Sequence, residues 1–238
     1  FVYGNPEEGV PGCIANGIDE KTANKIYDEM TDFAKYAFNK SHAAAYAVVS
    51  YQTAWLKYYY PVEYMAALMT SVIDNPGKVA EYIYSCRQMG IKILPPDINH
   101  GYSSFSVDNG SIRYGLAAIK SIGRPVIKEI VAERKANGEF KNLKDFIERM
   151  SGKDINKRTI ENFIKSGAFD ELGGTRKQFM VIYVQILDQV NREKKNSMTG
   201  QMSLFDIVGE EQKSEFDIPL PNVGEYEKST KLAFEKEV

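Results

Sequence analysis

The stretch AAAYAVVSYQTAWLKYYY, residues 43–60, contains no glycine or proline and is apolar on nearly every face, and it runs unbroken as far as Pro61. A helix that is apolar all round is one the rest of the chain must enclose, so this segment predicts a buried central helix. Pro61 suits the first turn of a second helix, PVEYMAALMTSVI. Upstream, residues 16–36 place Ile18, Ala23, Ile26, Tyr27, Met30, Phe33 and Ala34 at helical spacing after Asp19, a candidate cap, and read as an amphipathic helix. Downstream, GKVAEYIYSCRQMG reads as a third helix ending at Gly90. IKILPP is extended, because each proline biases its predecessor away from the helical region. FSVDNGSIRYG predicts a hairpin turned at Asp108-Asn109-Gly110.

Beyond Gly115 the pattern is helical again, in LAAIKSIGRPVIKEIVAERKANG, NLKDFIERM, NKRTIENFIKSGAFDEL and TRKQFMVIYVQILDQVNREKK. Short joints between them imply a compact bundle. After Asn196, serine, glycine, proline and acidic residues dominate as far as Val238, and an extended tail is expected. The fold class is therefore mainly α. The first half is helical with one small β-hairpin, a helical bundle follows beyond Gly115, and an extended tail or flexible linker follows Asn196.

The length of 238 residues, 43% of them hydrophobic, allows one large or two smaller cores. No apolar run reaches the roughly 20 residues that span a bilayer, and the N-terminus lacks the basic flank and apolar core of an export signal. It begins with Phe1, as an excised piece would. Cys13 and Cys86 stand far apart without CxxC or Cys/His spacing, which argues against zinc and for a reducing compartment, the cytoplasm by default.

The net charge of −2 conceals a partition. Residues 1–110 carry 8 Lys+Arg against 12 Asp+Glu, 111–180 carry 15 against 9, and 199–238 carry 4 against 9. A basic middle separates acidic ends, which is either a phosphate-binding footprint or a solvated helical surface.

AIKSIGRPVIKEI has the form of a helix-hairpin-helix: a short helix ending at Lys120, a tight hairpin through Ser121, Ile122 and Gly123, and a second helix opened by Pro125. The hairpin and the helix start present backbone N–H groups suited to a phosphate, with Ile122 turned inward as the lock. Lys120, Arg124 and Lys128 would add counterion-releasing contacts. The stringent motif has glycine where this chain has Ser121. IENFIKSGAFDELGG offers a weaker second copy, with Lys165, Ser166 and Gly167 at the turn. Either could instead be an ordinary corner between helices. In FNKSHAAAYAVV, Asn39 and Ser41 are good N-caps, so Lys40, Ser41 and His42 stand beside unpaired backbone donors where an anion would fit. The alternative is that Ser41 only caps and His42 only packs. No GxSxG, P-loop, HExxH or paired-aspartate strand occurs, and His42 and His100 are the two histidines.

The ordered stretches FNKSHAAAYAVVSYQTAWLKYYYPVEYMAALM, GIKILPPDIN, IRYGLAAIKSIG, IKSGAFD and QMSLFD resemble the C-family of bacterial replicative DNA polymerases, the polymerase III alpha subunits. The resemblance covers nearly the whole chain. It implies that residues 1–110 belong to the fingers domain and 111–195 to a helix-hairpin-helix domain riding on primer-template duplex, and that 196–238 lead to an OB-fold. It also implies that Asn39, Lys40, Ser41 and His42 line the nascent base-pair pocket near an incoming dNTP, His42 sensing a 2′-hydroxyl. Lys120 to Arg124 would lie on duplex phosphates. Gln201, Met202, Ser203, Leu204 and Phe205 match the family's Gln-x-x-Leu-Phe motif for the ring-shaped sliding clamp, the beta subunit, with Leu204 and Phe205 as apolar anchors. Other replisome subunits follow as partners, and a membrane does not. The palm aspartates that hold two Mg ions for phosphoryl transfer find no counterpart, so this piece is expected to lack polymerase activity alone and to hold no cofactor. Two rival readings stay open. One is a stand-alone helix-hairpin-helix scaffold or repair accessory protein, and the other an independent enzyme using Lys40, Ser41 and His42.

Overall fold

The computed structural model describes residues 1–35, 40–198 and 218–238, which fall into two units, Phe1–Leu56 and Lys57–Val238. In the first unit, β1 (Gly4–Asn5) and β2 (Val10–Pro11) pair antiparallel, with Gly4 opposite Pro11. Pattern reading misses this ribbon, because two-residue strands carry no alternation to detect. α1 (Glu20–Lys35) opens where the Asp19 carboxylate accepts a hydrogen bond from the Thr22 N–H at 3.0 Å, the expected cap. α2 (Lys40–Tyr59) is one continuous helix, as its freedom from glycine and proline predicts. The expectation that it is buried is corrected, since none of its described residues is buried. Composition makes it helical, but burial needs an opposing apolar surface, and the packed cores are formed by other elements.

The second unit starts with α3 (Pro61–Ser71), which has proline in its first turn, and α4 (Pro76–Gln88), capped by Asn75, whose side chain accepts from the Lys78 N–H at 3.1 Å. Gly90, at φ 72, turns the chain out of α4. β3 (Ile93–Leu94), β4 (Ser106–Asp108) and β5 (Ser111–Arg113) form a sheet in the order β3-β5-β4. β4 and β5 are antiparallel, with Val107 opposite Ile112, and the turn sits where expected. Asn109 and Gly110 take φ of 49° and 76°, the left-handed pair a tight hairpin requires. Met65, Met69, Val79, Cys86, Phe105 and Ile112 pack into one core. Burial raises the Cys86 thiol pKa above its ordinary value.

A 3₁₀ turn (Leu116–Ala118) leads into α5 (Arg124–Asn137), α6 (Leu143–Met150), α7 (Lys157–Ser166) and α8 (Arg176–Met198). Asn142 and Asn156 cap α6 and α7 by accepting from the N–H groups of Asp145 and Thr159. The bundle closes on aromatics. Phe146 meets Phe169 edge to face at 4.9 Å, and Phe163 meets Phe169 at 5.5 Å. Arg149 braces the α5–α6 corner, donating to the carbonyls of Gly138 and Glu139 and to the carboxylate of Glu133 while lying 4.3 Å over the Phe140 ring.

The expectation of extended chain as far as Val238 is corrected over its last part, where α9 (Lys228–Glu237) is helical. The run KSTKLAFEKE has no breaker, and it finds partners on α7 that no local pattern announces. Among the described residues no helix is long and apolar enough to cross a membrane.

Candidate nucleic-acid interface

The hairpin Lys120–Gly123 is held from below. Ile122 is buried in the bundle core, and its N–H donates to the Ile119 carbonyl at 3.3 Å. The first arm is shorter than expected: instead of a helix ending at Lys120, the 3₁₀ turn precedes an extended Ile119 at ψ 127. Leu116 and Ile119, three residues apart, are both buried, a spacing that a 3₁₀ turn satisfies. Ser121 adopts φ 64, the left-handed conformation that glycine enters freely. The stringent motif's preference for glycine here thus has a backbone cause.

Ser121, Gly123, Arg124 and Lys128 are exposed. The backbone N–H groups of Ser121, Gly123 and Arg124 form no hydrogen bond among the described residues. Arg124 and Pro125 open α5, whose dipole adds partial positive charge at the same place. Lys120 is already engaged. Its N–H donates to the Val238 carbonyl at 2.8 Å, its ammonium donates to the Glu237 carbonyl at 2.9 Å, and its own carbonyl accepts from Asn162 Nδ2 at 2.7 Å.

The second hairpin differs from the expected picture. Lys165, Ser166 and Gly167 are buried, so the structure does not present them to a nucleic acid. The Lys165 ammonium lies 2.8 Å from both Glu161 and Glu237, and these hydrogen bonds raise its pKa. Ser166 Oγ donates to the Phe163 carbonyl, and Gly167 ends α7 at φ 83. The physical reason is their place in the core face of α7, roofed by α9. Sequence reasoning also missed Arg176, the hub of this corner. Its guanidinium donates to Asp170 through Nε and Nη2, and through Nη1 to the Lys165 carbonyl and the Glu235 carboxylate. Burial opposes its charge, yet Asp170 and Glu235 outweigh that and raise its pKa. A lone arginine opening a helix carries no signal of such partners.

Lys40, Ser41 and His42 occupy the first turn of α2 and are exposed, with the His42 ring 4.5 Å from that of Tyr46. Asn39 and the segment Gln201, Met202, Ser203, Leu204 and Phe205 lie outside the described residues. Among the described residues no group of three or more His, Cys, Asp or Glu side chains could hold a metal ion.

The exposed hairpin, its buried isoleucine lock and the helix start behind it define a helix-hairpin-helix protein, and the signature described as the helix-hairpin-helix motif matches residues 90–179. The chain is 46% identical over 201 residues to the DNA polymerase III subunit alpha of Escherichia coli K12, a match covering 84% of this chain and 17% of that protein. It is 42% identical over 227 residues to that of Vibrio cholerae, and 40% identical over 227 to that of Borreliella burgdorferi, each match covering 95% of this chain and 20% of the relative. The chain belongs to the family of DNA polymerase III alpha subunits. It spans about one fifth of the length of these relatives.

Proposed function

We propose that this chain is the part of a replicative DNA polymerase that grips the newly made duplex by its backbone, completes the nascent base-pair pocket and tethers the enzyme to the sliding clamp. The observation that carries the reading is the exposed hairpin at Ser121–Arg124, with N–H donors that have no partner among the described residues and Arg124 and Lys128 beside them, in a chain of this family. Such contacts read no sequence, which suits an enzyme that must follow any template. Lys40, Ser41 and His42, at the exposed start of α2, serve the incoming dNTP, His42 standing against a 2′-hydroxyl. Gln201 to Phe205 enter the clamp, with Leu204 and Phe205 as anchors. The two Mg ions and the acidic groups that hold them belong to the palm of the longer enzyme, so this chain alone does not incorporate nucleotides. Other replisome subunits are partners of the same assembly, which works in the cytoplasm.

The test is duplex binding by the full chain as a function of salt. Arg124→Glu/Lys128→Glu is expected to weaken binding at least about tenfold for all sequences alike and to flatten the salt slope, since each lost phosphate contact removes about one released counterion. Unchanged affinity and slope would refute the assignment of duplex contact to this hairpin.

A further inference from the structure

Residues 218–238 lie across the hairpins as a strap anchored by two glutamates. Glu235 pairs with Arg176 and Glu237 with Lys165, each at 2.8 Å. From that anchorage the carbonyls of Glu237 and Val238 take the ammonium and the N–H of Lys120. Lys120 is the hairpin cation, and its two donors are those a duplex phosphate would require. Carbonyl oxygens of the strap therefore stand in the place of phosphate oxygens.

The hold is polar with a small apolar part, in which Ile218 and Val238 pack half-buried against the bundle core. α9 contains no buried residue, and Leu232 is 55% exposed. Segments with few buried apolar contacts open at low free energy, and partly exposed ion pairs weaken as salt rises.

We propose that the strap competes in cis with duplex DNA for Lys120, so that the chain binds duplex fully only when α9 lifts from α7; this rests on the duplex-binding reading above. The apparent affinity is then the intrinsic one reduced by the fraction of molecules with the strap lifted. Because salt loosens the strap while it weakens phosphate contacts, the strap also blunts the salt dependence of the intact chain.

The experiment compares a short duplex of mixed sequence binding to the full chain, to Glu235→Gln/Glu237→Gln, and to Glu8→Gln/Glu171→Gln. The last is a charge-matched control at exposed positions. The anchor variant is expected to bind at least about threefold more tightly than the control, with a steeper salt slope. In the wild type, hydrogen exchange over 221–238 is expected to speed up when duplex binds. Equal affinities of anchor variant and control, or strap exchange that duplex leaves unchanged or slows, would overturn the strap while leaving duplex binding intact. Failure of all three proteins to bind duplex would overturn both readings.

Discussion

Gly167 and Arg176 fit against each other with no room between them: a Cβ on Gly167 would lie 2.2 Å from Arg176 Nη2. The guanidinium cannot swing aside cheaply, because Asp170, the Lys165 carbonyl and Glu235 hold it on three sides. Gly167 is also at φ 83, where a side chain is strained whatever the space. Gly167→Ala is therefore expected to destabilise the second unit by about 2–3 kcal/mol, the sum of a left-handed penalty and a steric one. Urea unfolding measures it, and a loss below 0.5 kcal/mol, the ordinary surface value of about that size, would contradict the packing described.

Glu133 ties α5 to the chain after α6. Its carboxylate accepts from Lys153, Asn137 and Arg149, and these hydrogen bonds, led by Lys153, hold its pKa down from 4.5 to about 2 against the opposing effect of burial. A carboxyl with a lowered folded pKa contributes stability that is present above its unfolded value and lost as pH falls through the folded one. Wild-type stability should thus decline between about pH 4.5 and pH 2, and Glu133→Gln should be less stable at neutral pH with a shallower decline in that window. Denaturant midpoints across the acid range decide it, and parallel curves would remove Glu133 from the account.

Ser121 occupies a glycine conformation without glycine's freedom. Replacing it with glycine relieves the left-handed strain and loosens the unfolded chain, so Ser121→Gly should be neutral or mildly stabilising. Ser121→Val puts a β-branched side chain at positive φ and should cost about 1–2 kcal/mol. Equal thermal midpoints for the two variants would show that the hairpin backbone relaxes out of φ 64.

What could be read beforehand depended on how local the cause was. Asp19, Pro61, Gly90 and the Asn109-Gly110 turn act within a few residues, and each sits where its chemistry placed it. α9 and the second hairpin did not yield to the same reading. The contacts that bury Lys165 and engage Lys120 come from Glu237, 72 and 117 residues away. A lysine after a helix in a basic stretch looks identical in sequence whether it meets a phosphate or a glutamate of its own chain. For α2, periodicity could announce a helix but not what would cover it, since burial belongs to the partner surface rather than to the segment.

The clamp-binding prediction is independent of these packing arguments, because it rests on five consecutive residues of the sequence. In Gln201-Met202-Ser203-Leu204-Phe205 the binding energy should be concentrated in the two apolar side chains, with Gln201 supplying direction by hydrogen bonding. Truncating an anchor that fills an apolar pocket commonly costs about 2 kcal/mol or more. Leu204→Ala/Phe205→Ala is accordingly expected to weaken binding to the sliding clamp at least about 30-fold. Duplex affinity should stay unchanged, since neither residue belongs to the hairpin at Ser121–Arg124. Titration of both proteins with clamp and with duplex separates the two effects. A variant that keeps its clamp affinity would discard the motif, and one that loses both activities would point to a folding defect, checked by its urea midpoint.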